Sequence, residues 1–306
     1  MEELRVFCPA TIANISCGFD VLGVALDSVG DEMVIRKTPK KGIFITKLKG
    51  QDLPMETERN VAGVAGLALL NESHYDGGFE IEIYKNIKAG SGIGSSAASS
   101  TGAVWAMNQL LGKPFTTSKL VEFAMEGERL ASGVAHADNV APALFGGFTL
   151  VRSYEPLDII PINSPSELFA TVIHPQIEIK TSDSRKILKT HITLKEGIKQ
   201  WGNLGGLIAG LFTEDYDLIG RSLEDHIVEP IRSILIPGFN DVKKGALASG
   251  ALGCGISGSG PSIFAFSKGE ATAKKVALSM KEVYEKIGID HDVHISKINT
   301  EGIKEI

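Results

Sequence analysis

A short run of small residues carries the clearest chemical signal in the chain. The segment GSGIGSSAAS has glycine at alternate positions from Gly90 to Gly94, and Ser95 and Ser96 follow where a helix is expected to begin. The unpaired N–H groups of such a turn and the positive end of the helix attract an anion, and we expect phosphate. The serine hydroxyls can cap the helix or bind a phosphate-bound Mg²⁺.

Three other interpretations apply to glycine-rich turns of this kind. A dinucleotide fingerprint requires Gly-x-Gly-x-x-Gly, but the last position counted from Gly90 is Ser95. A Walker A loop requires lysine after its last glycine, and Ser95 follows Gly94 instead. A tight turn that only allows close helix packing stays open as the third interpretation.

Glu128 is a second residue with chemical potential. Residues 120–131 have their apolar side chains on one face of a predicted helix. At about 100° per residue from Leu120, Glu126 falls at about 240°, away from that face, whereas Glu128 falls at about 80°, on its border. A half-buried carboxylate needs a partner, and Mg²⁺ with ATP phosphates would supply one. A surface ion pair is the ordinary alternative for a single glutamate.

The elements that position these residues follow from periodicity. Residues 79–85 alternate apolar and polar, which predicts a strand before the turn, and residues 97–111 predict a helix after it. Residues 4–9 predict a first strand, and residues 61–70 predict a helix with Asn60 as its N-cap.

Later elements complete the expected architecture. The pattern predicts strands at 148–151 and 168–173, a helix followed by a strand between 270 and 298, and a second glycine-rich loop within 250–266. That second loop fits a close backbone approach to the active site better than a nucleophile elbow. Pro156, Pro161 and Pro165 indicate a boundary between two lobes, 1–155 and 156–306.

Composition restricts the function classes. The chain has 306 residues, 43% of them hydrophobic, and a formal net charge of −6 with no block of like charge, so nucleic-acid and membrane-surface binding are not expected. The three cysteines show no metal spacing, which favours buried thiols in a reducing compartment. No signal peptide or membrane-spanning run is recognised, so a soluble cytoplasmic protein is expected.

The glycine and serine turn resembles the phosphate loop of the GHMP kinases, Pro-x-Gly-x-Gly-Leu-Gly-Ser-Ser-Ala. Lys88 stands here for the usual proline and Ile93 for the usual leucine, and no glycine or serine is lost. The resemblance implies a two-lobed α+β GHMP kinase fold. Its N-terminal lobe is ribosomal-protein-S5-like and binds ATP, and its C-terminal lobe is ferredoxin-like.

A longer match covers residues 9–26. It follows the homoserine kinase signature Pro-Ala-Thr-x-Ala-Asn-x-x-x-Gly-Phe-Asp-x-Leu-Gly-x-Ala-Leu. Residues 132–147 are similar to a second segment of those enzymes, Ser-Gly-x-x-His-x-Asp-Asn-Val-Ala-Pro-x-x-x-Gly-Gly. The resemblance implies phosphorylation of the side-chain hydroxyl of L-homoserine to O-phospho-L-homoserine, a step of threonine biosynthesis, with MgATP as the donor. Homodimers are common among such enzymes, although nothing in the sequence indicates one.

The resemblance also implies roles for individual residues. The ATP-binding residues are expected to be Lys88, Ala89, Gly90, Ser91, Gly92, Ile93, Gly94, Ser95, Ser96 and Asn60. The substrate-binding residues are expected to be Asn14, Asp20, Asn139, Thr181, Arg185 and Arg232. Ser96 and Glu128 would hold Mg²⁺, and Glu128 and Asp138 would be the catalytic residues.

Structural explanations remain open for several of these residues. Asn14 and Asp20 can be turn formers, Asn60 can act only as a cap, and Asp138 can belong to an Asx turn. Arg232, an isolated arginine, would ordinarily lie on the surface. His136 is ranked below Asp138 as a base, and phosphoryl transfer can also proceed by positioning without a dedicated base.

Two rival functions are compatible with parts of the sequence. A GHMP kinase for another alcohol, such as mevalonate or a sugar, would keep the phosphate loop but should lack the 9–20 signature and the Thr181 and Arg185 pair. A non-catalytic nucleotide- or amino-acid-binding relative would keep the fold. Intact Ser96 and Glu128 argue against that second rival.

Overall fold

The structure is a computed structural model that describes residues 2–179 and 181–306; the side chains of Thr181 and Ser182 also lie outside the description. Its strands are β1 Glu3–Ala13, β2 Leu22–Thr38, β3 Gly42–Lys49, β4 Gly78–Tyr84, β5 Phe148–Tyr154, β6 Leu157–Ile162, β7 Leu168–Pro175, β8 Gly253–Ile256, β9 Ile263–Lys268, β10 His291–Lys297 and β11 Lys304–Glu305. Its α-helices are α1 Val61–Glu72, α2 Ser95–Leu110, α3 Thr117–Ser132, α4 Val140–Phe145, α5 Thr181–Lys186, α6 Leu194–Thr213, α7 Tyr216–Ser222, α8 Glu229–Arg232, α9 Phe239–Ala248 and α10 Glu270–Ile287.

The strands of the described chain form two sheets. The first has the order β11-β1-β2-β4-β3, with β5 paired to β2 and β6 to β5, and the second has the order β10-β7-β9-β8. β6 follows the expected boundary at residue 155 and still extends the first sheet, and the chain returns to that sheet at β11. The division at 155 itself stays a prediction.

The described residues form two apolar cores. The larger core contains side chains from the first sheet and from α1, α2 and α3, which pack on one another, and also side chains from β7 and β9 of the second sheet. The smaller core joins the second sheet to α9 and α10. Both sheets are thus covered by helices, as expected for an α+β protein. No helix in the described residues is long and apolar enough to cross a membrane.

Local expectations agree with these elements to within a few residues. β4 was predicted at 79–85 and runs from Gly78 to Tyr84, and Asn60 does cap α1, its side chain accepting from the Ala62 N–H at 3.0 Å. α2 begins at Ser95, two residues before the predicted start. The reason is that Gly94, at φ 74°, takes the N-cap position, so the helix begins directly after the turn.

Candidate active site

A cavity of about 520 Å³ contains most of the residues that the sequence singled out. It runs from the glycine loop before α2, past α3, to the 14–20 segment and the α5 region. The predicted residues that line it are Asn14, Asp20, Ala89, Gly90, Gly92, Gly94, Ser95, Ser96, Glu128, Asp138, Asn139, Arg185 and Arg232. The cavity therefore joins the phosphate loop to the predicted substrate residues.

The glycine loop is shaped by its contact with β1. Gly94 adopts φ 74°, and a Cβ there would lie 2.0 Å from the Thr11 hydroxyl oxygen, so only glycine fits. The Thr11 hydroxyl donates to the side-chain oxygen of Asn139 at 2.7 Å. The Ser95 hydroxyl donates to the Ile87 carbonyl at 2.9 Å and thereby closes the loop. Ser96, one residue into α2, is the serine whose hydroxyl reaches the cavity and Glu128.

The second glycine-rich loop packs directly on the first. The Ser257 hydroxyl donates to the Gly92 carbonyl at 2.7 Å, and the Ser262 N–H donates to the Ser91 carbonyl at 3.2 Å. A Cβ at Gly92 would lie 2.6 Å from the Gly260 carbonyl oxygen. Gly258 also lines the cavity, as expected for a close backbone approach. The two lobes therefore meet at the phosphate loop.

A buried ion pair lies beneath this loop. The ammonium of Lys85 contacts a carboxylate oxygen of Asp31, and the two side chains are 1% and 0% exposed. Lys85 also donates to the Ser95 carbonyl at 2.9 Å and to the Ser99 hydroxyl at 3.0 Å. The other Asp31 oxygen accepts the N–H groups of residues 86 and 87 at 2.7 and 2.9 Å. The pair connects the end of β4, the loop and the first turn of α2.

Glu128 lies inward on α3, as the helical angles predicted. Glu128 is 8% exposed, whereas Glu126 faces solvent and pairs with Arg129. Burial raises the pKa of Glu128 to about 7, although its hydrogen bond with Ser96 and the charge of Lys85 act in the opposite direction. Its Oε1 atom has no hydrogen-bond partner among the described residues. A buried oxygen without a partner, beside a serine hydroxyl and an anion site, fits a hard cation such as Mg²⁺.

The other end of the cavity holds charges of both signs. The guanidinium of Arg185 forms a bidentate pair with the carboxylate of Asp20, with N–O distances of 2.8 and 3.0 Å. His136 Nδ1 lies 3.9 Å from the same carboxylate. Burial lowers the pKa of His136 below its ordinary value, and the charge of Asp20 opposes this shift. His136 is therefore predominantly neutral near pH 7.

Arg232 is buried, contrary to the ordinary expectation for an isolated arginine. Its guanidinium donates to the Ser184 and Gly258 carbonyls, each at 3.2 Å. Burial and the nearby charge of Arg185 lower the pKa of Arg232 to about 10. The guanidiniums of Arg185 and Arg232 lie 5.4 and 5.0 Å from the centre of the Phe19 ring, close enough for cation–π attraction.

Asn14 supports this charged end through backbone contacts. It adopts φ 71°, which asparagine tolerates better than most residues. Its amide donates to the Gly258 carbonyl at 2.7 Å, and its oxygen accepts the Asp20 N–H at 3.0 Å. Asn14 thus connects the turn that carries Asp20 to the second glycine-rich loop.

Asp138 lies between the phosphate loop and the charged end. The residue is 4% exposed. Burial, followed by the charges of Asp20 and Glu128, raises its pKa to about 7. A carboxyl group with a pKa near neutrality can accept a proton at physiological pH and still release it.

Five predicted residues do not line the cavity or cannot be placed there. Lys88 is exposed and donates to the Gln176 side chain at 2.7 Å. Ser91 and Ile93 are buried, and their carbonyls accept from Ser262 and Thr11. The side chain of Thr181 lies outside the described residues.

Asn60, the fifth of these residues, lies beside a second opening. Its amide donates to the Pro54 carbonyl at 2.7 Å while its oxygen caps α1. A more open cavity of about 680 Å³ is formed there by residues 52–56 and Arg59, and Leu53 lines this cavity and the main one. The two cavities therefore adjoin.

Asp31, Lys85, Thr11 and Phe19 also belong to the site, although no role was predicted for them from the sequence. Asp31 had a detectable signal, because it falls in phase with the apolar residues Met33 and Ile35 in the alternation of β2, which predicts a buried position. Phe19 had none beyond its place in the 9–26 signature.

Comparison with known proteins is consistent with this geometry. Residues 60–147 match the GHMP kinases N terminal domain, and residues 207–286 match the GHMP kinases C terminal domain. The homoserine kinases of Chloroherpeton thalassium and Chlorobium phaeobacteroides are 47% and 46% identical to this chain, and each match covers 99% of both proteins. A crystal structure of homoserine kinase from Cytophaga hutchinsonii is 53% identical, with a TM-score of 0.96 over 100% of this chain and 98% of the other. The chain therefore belongs to the homoserine kinases of the GHMP kinase family.

Proposed function

We propose that this protein transfers the γ-phosphoryl group of MgATP to the side-chain hydroxyl of L-homoserine, forming O-phospho-L-homoserine for threonine biosynthesis. The observation that carries the proposal is a single cavity that contains an anion-binding loop at one end and charges of both signs at the other. An amino acid carries a carboxylate and an ammonium group, and Arg185 and Asp20 are complementary to them. The full-length similarity to homoserine kinases supports the same substrate.

The nucleotide is proposed to bind along the glycine loop. Backbone N–H groups of the glycine loop and of the N-terminus of α2 hold the phosphates, because the first four N–H groups of a helix lack intrahelical partners. The N–H groups of Ala89 and Ser91 do not take part, since they donate to Gln51 and Lys88. The adjoining cavity at residues 52–59 receives the nucleoside. Asn60 holds the wall of that cavity through its bond to the Pro54 carbonyl.

Ser96 and Glu128 are proposed to hold Mg²⁺. The unpartnered Oε1 of Glu128 and the adjacent hydroxyl are the observations that support this assignment. When bound, the cation would neutralise charge that develops on the transferred phosphoryl group. Lys85 holds the carbonyl of Ser95 and so fixes the start of α2, on which Ser96 lies.

The substrate is proposed to bind at the charged end. Arg185 and Arg232, together with Thr181, hold the carboxylate, and Asp20 holds the ammonium group. Asn14 and Asn139 orient the aliphatic part of homoserine. Asn14 is held by its bond to the Gly258 carbonyl, and Asn139 is held by its bond from the Thr11 hydroxyl. Asp138, which lines the same cavity, is proposed to accept the hydroxyl proton as the oxygen forms its bond to phosphorus and ADP leaves.

A coupled ADP-release assay with MgATP tests the proposal. The acceptors are L-homoserine, L-serine, L-threonine, mevalonate and galactose, and turnover is expected with homoserine. Replacing Glu128 by glutamine is expected to lower kcat by roughly 10²–10³-fold, because one charge-stabilising group in the transition state is lost. The variant should also require a higher Mg²⁺ concentration for half-maximal rate.

Glu126→Gln is the matched control, since Glu126 lies on the same helix but faces solvent. It should leave turnover and the Mg²⁺ requirement unchanged. Turnover with another alcohol would refute the substrate assignment, and ATP binding without transfer to any acceptor would indicate a binding protein. Near-normal activity of Glu128→Gln would refute the metal site.

The compartment is also part of the proposal. Cys8, Cys17 and Cys254 are free and buried in the described structure. Thiols of this kind suit a reducing environment, and we therefore propose that the protein acts in the cytoplasm.

A further inference from the structure

Tyr154, the last residue of β5, lies behind the charged end of the cavity. β5 runs antiparallel to the beginning of β2, with Leu150 opposite Leu22. The residues of β5 after Leu150 therefore extend alongside the turn that precedes β2, and this turn includes Asp20. The register of the sheet thus brings Tyr154 to a residue of the active site that is 134 positions away.

A β-bulge turns the side chain of Tyr154 inward. In the pairing of β5 with β6, one extra residue of β5 lies between Val151 and Ser153. Because side chains alternate along a regular strand, Tyr154 would otherwise point away from the side of the buried Val151. The bulge returns Tyr154 to that side, where its ring packs against the larger core. Re-aiming of a side chain is a common function of bulges next to active sites.

The Tyr154 hydroxyl connects two segments of the active site. It donates to the Asp20 carbonyl at 3.0 Å and accepts the Ala137 N–H at 3.3 Å. Ala137 lies between His136 and Asp138, and both of these residues line the cavity. One hydroxyl therefore joins the turn that carries Asp20 to the segment that carries Asp138.

Asp20 depends on this support because its backbone conformation is unfavourable. Asp20 adopts φ 60°, in the left-handed region that residues other than glycine rarely occupy. The Asn14 side chain accepts the Asp20 N–H at 3.0 Å, and Tyr154 binds the Asp20 carbonyl, so the residue is held from both sides. The carboxylate of Asp20 forms the bidentate pair with Arg185. The position of this carboxylate thus depends on both backbone bonds.

We propose that Tyr154 is a positioning residue for the substrate, whose hydroxyl holds the Asp20 carboxylate where the ammonium group of the amino acid binds. Under the proposed function, on which this role rests, Asp20 is the partner of that ammonium group. Tyr154 is not part of the cavity wall, so it acts through Asp20. Without the hydroxyl, the Asp20 carbonyl and the Ala137 N–H lose their shared partner, and the left-handed turn can relax.

Tyr154→Phe removes the hydroxyl and keeps the ring. Steady-state assays should show that the KM for L-homoserine rises roughly 5–10-fold, as expected for the loss of one hydrogen bond, while the KM for ATP stays unchanged. Tyr284→Phe is the matched control, because Tyr284 is buried in the smaller core and its hydroxyl has no hydrogen-bond partner among the described residues. This control should keep both KM values. Circular dichroism verifies that both variants are folded.

A second test separates an effect on the ammonium site from a general loosening of the cavity. 4-Hydroxybutanoate is homoserine without its ammonium group, so its inhibition constant against L-homoserine should not change in Tyr154→Phe. Asp20→Asn removes the charge that binds the ammonium group and should itself raise the KM for L-homoserine. Adding Tyr154→Phe to Asp20→Asn should raise this KM by no more than about twofold, because the two residues act as one unit.

Four results would overturn the role of Tyr154. They are an unchanged KM for L-homoserine in Tyr154→Phe, a parallel rise in the KM for ATP, equal weakening of L-homoserine and 4-hydroxybutanoate, and a full additional effect in the Asp20→Asn background. Failure of the unmodified protein to phosphorylate L-homoserine would instead refute the proposed function, and the role of Tyr154 with it. The assay of the unmodified protein therefore distinguishes the two failures.

Discussion

The buried ion pair of Lys85 and Asp31, which lies beneath the phosphate loop, gives a quantitative prediction about the free energy of unfolding. Removing one partner of a buried ion pair leaves an uncompensated charge and typically costs about 3–5 kcal/mol. Lys85→Met leaves the Asp31 carboxylate with only the two N–H groups of residues 86 and 87. Asp31→Asn leaves the ammonium without its counter-charge, facing only uncharged acceptors such as the Ser95 carbonyl and the Ser99 hydroxyl. Each single variant should therefore lose about 3–5 kcal/mol in free energy of unfolding.

The double variant separates this explanation from simple loss of packing. In the double variant Lys85→Met and Asp31→Asn, neither charge of the pair remains. The combined loss in free energy of unfolding should therefore be smaller than the sum of the single losses by about 2–3 kcal/mol. Urea unfolding of the four proteins at pH 7 measures the cycle. The exposed pair of Glu270 and Lys274 is the control, and Lys274→Met should leave stability nearly unchanged. Losses that add to within about 0.5 kcal/mol would refute the reasoning.

Two further perturbations test the loop and the pH dependence. Gly94→Ala should raise the KM for ATP and destabilise the fold by roughly 2–4 kcal/mol, because the strain of a positive φ adds to the steric contact with Thr11. Gly112→Ala is the control, since Gly112 also has a positive φ but no atom near its Cβ position. This variant should lose only about 1 kcal/mol of stability and keep its KM for ATP. His174 has its pKa lowered to about 4, chiefly by burial and also by the charge of Lys88, so the unfolded chain binds more protons than the folded chain between about pH 6.5 and pH 4. The contribution of His174 to the free energy of unfolding is therefore fully present above about pH 6.5 and is lost as the pH falls. Measured by urea unfolding, His174→Gln should lose less free energy of unfolding between about pH 7 and pH 5 than the unmodified protein does. An equal loss would contradict the lowered pKa of His174.

The sequence was sufficient for features that depend on near neighbours. Alternation of apolar residues located β4 to within one residue, and helical angles correctly placed Glu128 inward and Glu126 outward. The Asn60 cap depends on residues two positions apart and was also predicted. The helix after the glycine loop was predicted two residues late, because positive φ at Gly94 allows α2 to begin at once.

Contacts between distant segments could not be obtained from periodicity. Lys85 and Asp31 are 54 positions apart, and Arg185 and Asp20 are 165 positions apart. Burial of Arg232 depends on carbonyls of Ser184 and Gly258, which its own neighbours in sequence do not disclose. For Asp20, Arg185 and Arg232 the motif resemblance indicated roles, but only the fold shows how their charges are balanced.

The pair formed by Asp20 and Arg185 has a consequence for selectivity under the proposed function. The two side chains satisfy each other in the protein alone, so a substrate must replace what each loses. An amino acid replaces both interactions, since its carboxylate binds Arg185 and its ammonium group binds Asp20. Mevalonate would supply a carboxylate but leave Asp20 without a cation, and galactose would leave both charges unpaired. An unpaired polar group costs about 1–3 kcal/mol when it is buried. Arg185 and Asp20 are 35% and 25% exposed, so water offsets part of this cost, and we expect the pair to disfavour alcohols that lack either charge without any steric barrier.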